Sequence, residues 1–253
     1  MTDLFVKYGL RRLLNLSGKE TANGAAETPP EVVAAVAAIL PESVDMLDLQ
    51  AAASAVIARV AGSDAGFVTG CVAAGLSVSV AACMTGTDIV KVEQLPDTAG
   101  MKNEVILQKG HDVHYGSRLS QKLRLPGARV VEVGTATDCA QYQLRGAIGP
   151  QTAAAVFVWS HHCVLPGLLD LRAFASVCRE AGVPVIVDAA NEYDWPGMLA
   201  MGADLVIFSA LKAARGPTAG VIAGREDLVR ACMFQERGIG RPMKAGKEGV
   251  IGA

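Results

Sequence analysis

The chain contains two kinds of hydrophobic pattern: short runs that are almost entirely apolar, and longer segments with the periodicity of a helix. Mostly apolar runs of strand length, typical of strands buried on both faces of a sheet, occur at 67–69, 88–92, 104–108, 128–133, 153–159, 183–187, 203–208 and 219–223. Before, between and after these runs, helical periods or many small residues predict helices at 31–40, 46–60, 115–125 and 225–234 and after residues 70 and 139. The alternation of predicted strands and helices implies βαβ units and a mainly parallel sheet flanked by helices, which is the α/β class.

The stretch from Ala65 to Thr87 carries no charged residue, and it is long enough for a transmembrane helix to be considered. It opens, however, with the strand-like run FVT and contains four glycines and several hydroxyl side chains. We therefore interpret it as a strand followed by a helix that is buried among other helices, and we expect no membrane contact.

Two of the predicted strands end on polar side chains. Asp188 follows the run VPVIV, and Ser209 and Lys212 follow the run that ends at Phe208. Because open parallel sheets bind ligands beyond the carboxyl ends of their strands, we expect these side chains to share a site. The carboxylate can pair with a protonated pyridine nitrogen, the lysine can form a Schiff base, and the hydroxyl can bind a phosphate. Pyridoxal 5′-phosphate makes these three demands at once.

The same spacing also fits a plainer interpretation, an α/β protein with a surface lysine after one strand and an aspartate that caps the next helix. A second candidate phosphate site is the small-residue turn of Thr69, Gly70 and Cys71, which joins a predicted strand to a helix. Backbone N–H groups at a helix start bind phosphate with the help of the helix dipole. Small residues there also simply permit close packing, and we interpret Cys71 as a packing or backbone contact rather than a nucleophile.

Three segments resemble the core of the fold type I pyridoxal-phosphate enzymes: Asp188-Ala-Ala, the run from Gly202 to Lys212, and Arg215-Gly-Pro-Thr-Ala-Gly220. Within that class the chain most resembles the bacterial selenocysteine synthase-like group, which also contains D-glucosaminate-6-phosphate ammonia-lyase. The resemblance runs from about Arg11 to the end of the chain. That group usually has Ser-Gly-Gly-Lys before the lysine, whereas this chain has Ser-Ala-Leu-Lys, which keeps the serine and the lysine but places a bulkier side chain beside the imine.

The resemblance implies roles for particular residues. It implies that Lys212 forms the imine with the cofactor, that Asp188 pairs with the ring nitrogen, and that His111 stacks on the pyridine face. It assigns the cofactor phosphate to the turn at 69–71 and to Ser209. For His111 a loop histidine that contacts the backbone is the alternative. His161, His162 and Cys163 follow a strand and should face the same cleft, but no carboxylate accompanies them, so no metal site is predicted.

The resemblance also implies three segments. Residues 1–45 form an N-terminal arm and first helix that help to build the mouth of the site at a dimer interface. Residues 46–236 form the cofactor-binding large domain. Residues 237–253 form a linker into a C-terminal small domain, which we expect to be missing here.

Composition is compatible with this. The net charge is −2 and the pI is about 6.1, so the chain has no electrostatic footprint for nucleic acid or an anionic membrane. The six cysteines are scattered without a C-x-x-C pair, and the N-terminus does not have the form of a signal peptide, which makes a reducing cytoplasm the expected location. No nucleotide-binding glycine motif occurs.

We therefore predict a pyridoxal-phosphate-dependent lyase, working as a homodimer or higher oligomer. The predicted reaction is α,β-elimination from a hydroxy amino acid or an amino sugar acid, as in D-glucosaminate-6-phosphate ammonia-lyase. Two alternatives stay open at this point. One is selenium transfer onto seryl-tRNA, against which the short arm and the lack of positive charge both speak. The other is a non-catalytic scaffold that keeps the cofactor fold.

Overall fold

The computed structural model describes residues 3–212 and 214–253. Within them, seven strands form one sheet: β1 (Ala65–Thr69), β2 (Glu104–Gln108), β3 (Arg129–Val133), β4 (Thr152–Val158), β5 (Val185–Asp188), β6 (Leu205–Ser209) and β7 (Gly220–Gly224). Their order is β1-β7-β6-β5-β4-β2-β3. β7 runs antiparallel to both of its neighbours, and the other neighbouring pairs are parallel. The predicted mainly parallel sheet is confirmed.

The described residues form eleven α-helices. They are α1 (Leu4–Tyr8), α2 (Pro30–Ile39), α3 (Met46–Ala61), α4 (Val72–Thr85), α5 (Ile89–Gln94), α6 (Leu119–Arg124), α7 (Gln141–Ala147), α8 (Leu171–Glu180), α9 (Trp195–Ala200), α10 (Glu226–Phe234) and α11 (Lys247–Gly252). α4, α6 and α10 pack on one face of the sheet, and α7, α8 and α9 pack on the other. Side chains alternate between the two cores, as Ile106 and Leu107 do on β2.

The strand predicted at 88–92 is wrong, because this segment forms α5. The Asp88 carboxylate accepts a hydrogen bond from the Val90 N–H at 3.0 Å and so caps the helix. Val90 is 69% exposed, which shows that the apolar run is not buried on both sides. Asp88 is therefore the residue at which a surface helix begins.

The uncharged stretch forms β1 and α4, as predicted. α4 is buried along most of its length, between the sheet and the helices α6 and α10. In the part of the chain that the structure describes, no helix combines the length and the apolar character needed to cross a bilayer.

The strand register brings the candidate residues to one edge of the sheet. Val158 at the end of β4 lies beside Asp188 at the end of β5, and Asp188 lies beside Ile207 on β6. The loops that leave these three strands therefore start at the same edge. β7, running in the opposite direction, begins there at Gly220.

Candidate cofactor and active site

A cavity of about 190 Å³ lies at this edge of the sheet. Its walls come from the start of α4, the loop after β2 and the loops that follow β4, β5 and β6. Asp188, Ser209, Lys212 and Cys71 all line it. The structure thus brings together four of the seven residues that the sequence predicts for the site.

Asp188 is a buried carboxylate without a cationic partner. Its side chain is 4% exposed, and its Oδ1 accepts one hydrogen bond, from the Ala190 N–H at 3.1 Å. No cationic side chain of residues 3–212 and 214–253 lies within ion-pair distance of it. Burial raises the pKa of Asp188 to about 6. A ligand with a positively charged N–H group would relieve this cost.

Lys212 enters the cavity from the turn that follows β6. It is half-buried, and its backbone N–H donates to the Ser209 carbonyl at 3.3 Å. Its positive charge acts on the Asp188 carboxyl and lowers the pKa of that group against the effect of burial. Both side chains line the same cavity, so one small ligand can contact both.

The start of α4 forms a further wall. The Cys71 Sγ accepts from the Ala74 N–H at 3.4 Å and so caps the helix, in agreement with its predicted backbone contact. The N–H groups of Val72 and Ala73 donate to no acceptor within the described residues. Both residues line the cavity, so two free donors and the positive end of a helix dipole are available to an anion.

Thr69 and Gly70 shape this turn rather than line the cavity. The Thr69 hydroxyl donates to the Cys71 carbonyl at 3.0 Å, and the Gly70 N–H donates to the Met243 carbonyl at 2.8 Å. Both groups are occupied by the chain itself. Their position directly before α4 agrees with the prediction. Because both groups already have partners in the chain, their contribution is to fix the backbone at the start of the helix.

His111 lies beneath the cavity, not in its wall. The ring is fully buried, its Nδ1 accepts from the Val158 N–H at 3.1 Å, and it packs edge-on against Phe157 with ring centroids 4.6 Å apart. Burial lowers its pKa to about 4, so the ring is neutral near pH 7. This geometry favours the backbone-contact interpretation, and stacking on the pyridine face stays a prediction.

The lining also includes polar side chains that were not predicted from the sequence, among them Thr21, Tyr115 and Asn191. Tyr115 supplies the aromatic ring from the loop after β2. Asn191 lies three residues after Asp188, and its Oδ1 is buried without a hydrogen-bond partner in the described residues. The closeness of Asn191 to the strand end was a usable signal. The resemblance placed the arm at the mouth of the site but gave no reason to single out Thr21.

His161 and His162 line the cavity from the loop after β4, as predicted, with ring centroids 4.1 Å apart. Cys163, predicted to face the same cleft, does not line it: its thiol donates to the Val158 carbonyl at 3.8 Å and packs against the core. Among the described residues, no group of three His, Cys, Asp or Glu side chains is placed to hold a metal ion.

The donors and acceptors of the cavity fit pyridoxal 5′-phosphate. The uncompensated carboxylate of Asp188 suits the pyridinium N–H, and the free N–H groups at the start of α4 suit the phosphate. The orphaned Asn191 Oδ1 offers an acceptor for a further polar group, and Lys212, which lines the cavity, supplies a primary amine. The sheet order and this site together define the fold type I class of pyridoxal-phosphate enzymes.

Comparison with known proteins supports this class and narrows it. The family model described as L-seryl-tRNA selenium transferase matches residues 79–247. The D-glucosaminate-6-phosphate ammonia-lyase of Salmonella typhimurium is 40% identical over 99% of this chain and 68% of its own length. A 5′-C-glycyluridine monooxygenase-decarboxylase from a Streptomyces species is 47% identical over 83% of this chain and 53% of its own length.

Solved structures agree. The structure of D-glucosaminate-6-phosphate ammonia-lyase covers the whole chain and 69% of its own length, with a TM-score of 0.96 and 40% identity. Aspartate aminotransferase from Thermus thermophilus covers 89% of this chain and 60% of its own length with a TM-score of 0.61, and at 20% identity it shows the shared fold alone. The chain therefore belongs to the L-seryl-tRNA selenium transferase family. The resemblance that was predicted from the sequence is confirmed. The cofactor of the chain is pyridoxal 5′-phosphate.

Proposed function

We propose that the chain is an ammonia-lyase that acts on a 2-amino-3-hydroxy acid, and that its substrate is an amino sugar acid such as D-glucosaminate 6-phosphate. The observation that carries the proposal is the meeting of Lys212, Asp188 and the start of α4 in one cavity. The substrate class is supported by the 40% identity to D-glucosaminate-6-phosphate ammonia-lyase.

When bound, pyridoxal phosphate supplies an electron sink that stabilises negative charge at the Cα atom of an amino acid. The chain supplies the groups that hold it. We assign the ring N–H to the Asp188 carboxylate, which then gains the charged partner that it lacks in the protein alone. We assign the phosphate to the N–H groups of Val72 and Ala73, with the Ser209 hydroxyl as a third donor.

Lys212 carries two roles in the proposal. Its Nζ would hold the cofactor in the cavity, and with the substrate bound the Lys212 amine would accept the Cα proton. The 3-hydroxyl then leaves as water after it gains a proton. A water molecule replaces the amino group when ammonia is released, so that the net product is a 2-oxo-3-deoxy acid.

The partners and the location are part of the same proposal. We propose a homodimer or larger homo-oligomer, because the arm exposes several leucines, and a reducing cytoplasm, because the six cysteines are all free. The three segments 1–45, 46–236 and 237–253 also stay proposals. The last of them packs on the first, where the Lys247 amine donates to the Leu40 carbonyl at 2.7 Å.

Ammonia release tests the function directly. Cofactor-loaded protein incubated with D-glucosaminate 6-phosphate should form ammonia and a 2-oxo acid in equal amounts, with and without oxygen. Lys212→Ala should form neither. Racemisation or transamination of the substrate without ammonia release would contradict the proposal, and cofactor binding without any product would support the scaffold alternative.

Oxidative decarboxylation is a second candidate, favoured by the 47% identity to the 5′-C-glycyluridine monooxygenase-decarboxylase. The same incubation with 5′-C-glycyluridine distinguishes the two reactions. Consumption of oxygen together with release of carbon dioxide, and no ammonia from the sugar acid, would select this candidate. A gel-shift with seryl-tRNA at two salt concentrations tests selenium transfer, for which we expect no specific complex.

A further inference from the structure

Lys122 on α6 is a buried cation without a counter-ion. It is 7% exposed, and no carboxylate within residues 3–212 and 214–253 lies within ion-pair distance of its amine. Lysines are almost never buried so far without a paired anion. Burial accordingly lowers the pKa of the Lys122 amine.

The nearest acid does not serve as its partner. Asp112 accepts from the Ser120 N–H at 2.8 Å and from the Ser120 hydroxyl at 3.0 Å, and Arg118 lies 3.9 Å from it. The Lys122 amine instead donates to the Arg118 carbonyl at 2.8 Å and to the Ser117 hydroxyl. An ammonium has three N–H donors, so one of them has no acceptor in the described residues.

Lys122 lines a second cavity, of about 560 Å³, together with Ser117 and Gln121. This cavity adjoins the reaction cavity, because Cys71 and Ala73 line both. The Tyr115 ring, which also lines the reaction cavity, lies with its centroid 4.7 Å from the Lys122 amine. Lys122 is the weakest of the groups that shift the pKa of Asp188, so loss of its charge should leave the reacting groups largely undisturbed.

A compact anion in the second cavity would complete this arrangement. It would give the ammonium its counter-ion, accept the spare N–H and find further donors in the Ser117 hydroxyl and the Gln121 amide. The phosphate of the cofactor already has its own donors at the start of α4. A phosphate joined to the reacting amino acid through a short carbon chain would reach from the reaction cavity into its neighbour.

We propose that this second cavity binds the phosphate of a phosphorylated amino sugar acid, with Lys122 as the charged ligand. The inference rests on the proposed function, which it extends by naming the part of the substrate that the chain recognises. Lys122 is thus a specificity residue, because it contacts a group remote from the bonds that break.

The test compares Lys122→Met with Lys102→Met, which removes an exposed lysine just before β2 at the opposite edge of the sheet. Both variants and the wild type are loaded with pyridoxal phosphate. Steady-state rates are measured with D-glucosaminate 6-phosphate and with unphosphorylated D-glucosaminate. We expect Lys122→Met to raise KM for the phosphorylated substrate by about 10- to 100-fold, the loss of one charged hydrogen bond, with kcat and the KM for D-glucosaminate unchanged. Lys102→Met should behave as the wild type.

Binding gives a readout that does not need turnover. D-gluconate 6-phosphate has no amino group, and calorimetric titration of the loaded protein should show the same loss of affinity in Lys122→Met. If the wild type binds this compound but releases no ammonia from any substrate, the proposed function fails and the phosphate site stands.

Three results would overturn the inference. Weaker binding of pyridoxal phosphate itself by Lys122→Met would show that the amine serves the cofactor. An equal rise of KM for both substrates would show that it only supports Tyr115. A lower melting temperature with no change of KM would show a purely structural lysine, whereas we expect methionine at this uncompensated position to leave the melting temperature unchanged or higher.

Discussion

At the scale of a single residue, the burial of Asp188 favours a bound cationic ligand but lowers the stability of the cofactor-free protein. The carboxyl is buried at the end of β5 and keeps one backbone hydrogen bond. Its pKa is about 6 in the folded chain, above the ordinary 3.8. The folded state therefore binds the proton more tightly than the unfolded state, and this group makes the cofactor-free protein less stable as the pH rises from about 4 to about 6.

Asp188→Asn should remove this penalty. A difference of about two pKa units corresponds to about 3 kcal/mol, so the cofactor-free variant should gain stability relative to the wild type as the pH rises from about 4.5 to about 7.5. Denaturant unfolding at both pH values measures the gap. The same variant should bind pyridoxal phosphate more weakly, because the ring N–H loses its carboxylate. A stability gap that does not widen with pH would contradict this account of Asp188.

His111 offers a second test at the same scale. His111→Phe keeps a ring but removes the acceptor of the Val158 N–H, so we expect it to lower the free energy of unfolding by about 1–3 kcal/mol. His111→Asn keeps an acceptor but removes the ring, and we expect it to leave the affinity for pyridoxal phosphate unchanged. If His111→Asn weakens cofactor binding and His111→Phe does not, the stacking role predicted from the sequence is the right one.

At the scale of elements, the site depends on how closely β7 approaches the start of α4. Gly220 at the beginning of β7 leaves no room for a Cβ atom, which would meet the backbone of Cys71 and Val72. The absence of a side chain at this point lets the helix start, with its free N–H groups, lie against the strand edge.

Gly220→Ala should therefore push the start of α4 out of place. We expect weaker binding of pyridoxal phosphate and a loss of stability of about 1–3 kcal/mol, as for other overpacked positions. Gly146→Ala is the matched control, since a Cβ there, in the last turn of α7, meets nothing within 4 Å, and alanine favours a helix. Equal effects of the two changes on cofactor affinity would rule out this role for the close approach.

The elements also show what the sequence could and could not predict. The strands at 183–187 and 203–208 were predictable because a run buried on both faces is apolar at nearly every position, and Asp188 and Lys212 were predictable because they follow such runs. α5 was not, because a short apolar surface helix has the composition of a strand. Tyr115 and Lys122 were missed because loop paths and the burial of a lysine depend on contacts between distant segments.

At the scale of the whole molecule, the N-terminal arm presents apolar side chains to solvent. Leu14 and Leu16 are each 86% exposed. Monomeric proteins rarely expose apolar side chains in groups, and such groups mark surfaces of association. In the proposed oligomer a second protomer would cover this arm. This agrees with the expected position of the arm at a dimer interface.

The double change Leu14→Glu and Leu16→Glu should weaken that association. We expect sedimentation to show an oligomer for the wild type and a smaller species for the variant, because two carboxylates would have to be buried in the interface. Val90→Glu, at an exposed apolar position of α5, should leave the oligomer intact. A wild-type chain that sediments as a monomer at every concentration would contradict the proposed assembly.

The central claim is that Lys212 holds pyridoxal phosphate in the cavity that Asp188 and α4 complete. The most direct measurement is the absorption spectrum of the wild type, Lys212→Ala and Lys19→Ala with added cofactor. Lys19 is the matched control, because it is a second lysine near Lys212, whose charge helps burial to lower the pKa of the Lys19 amine, but it does not line the cavity. The account predicts a visible imine band, made permanent by borohydride, in the wild type and in Lys19→Ala but not in Lys212→Ala. A band that survives in Lys212→Ala, or no band in the wild type at saturating cofactor, would contradict it.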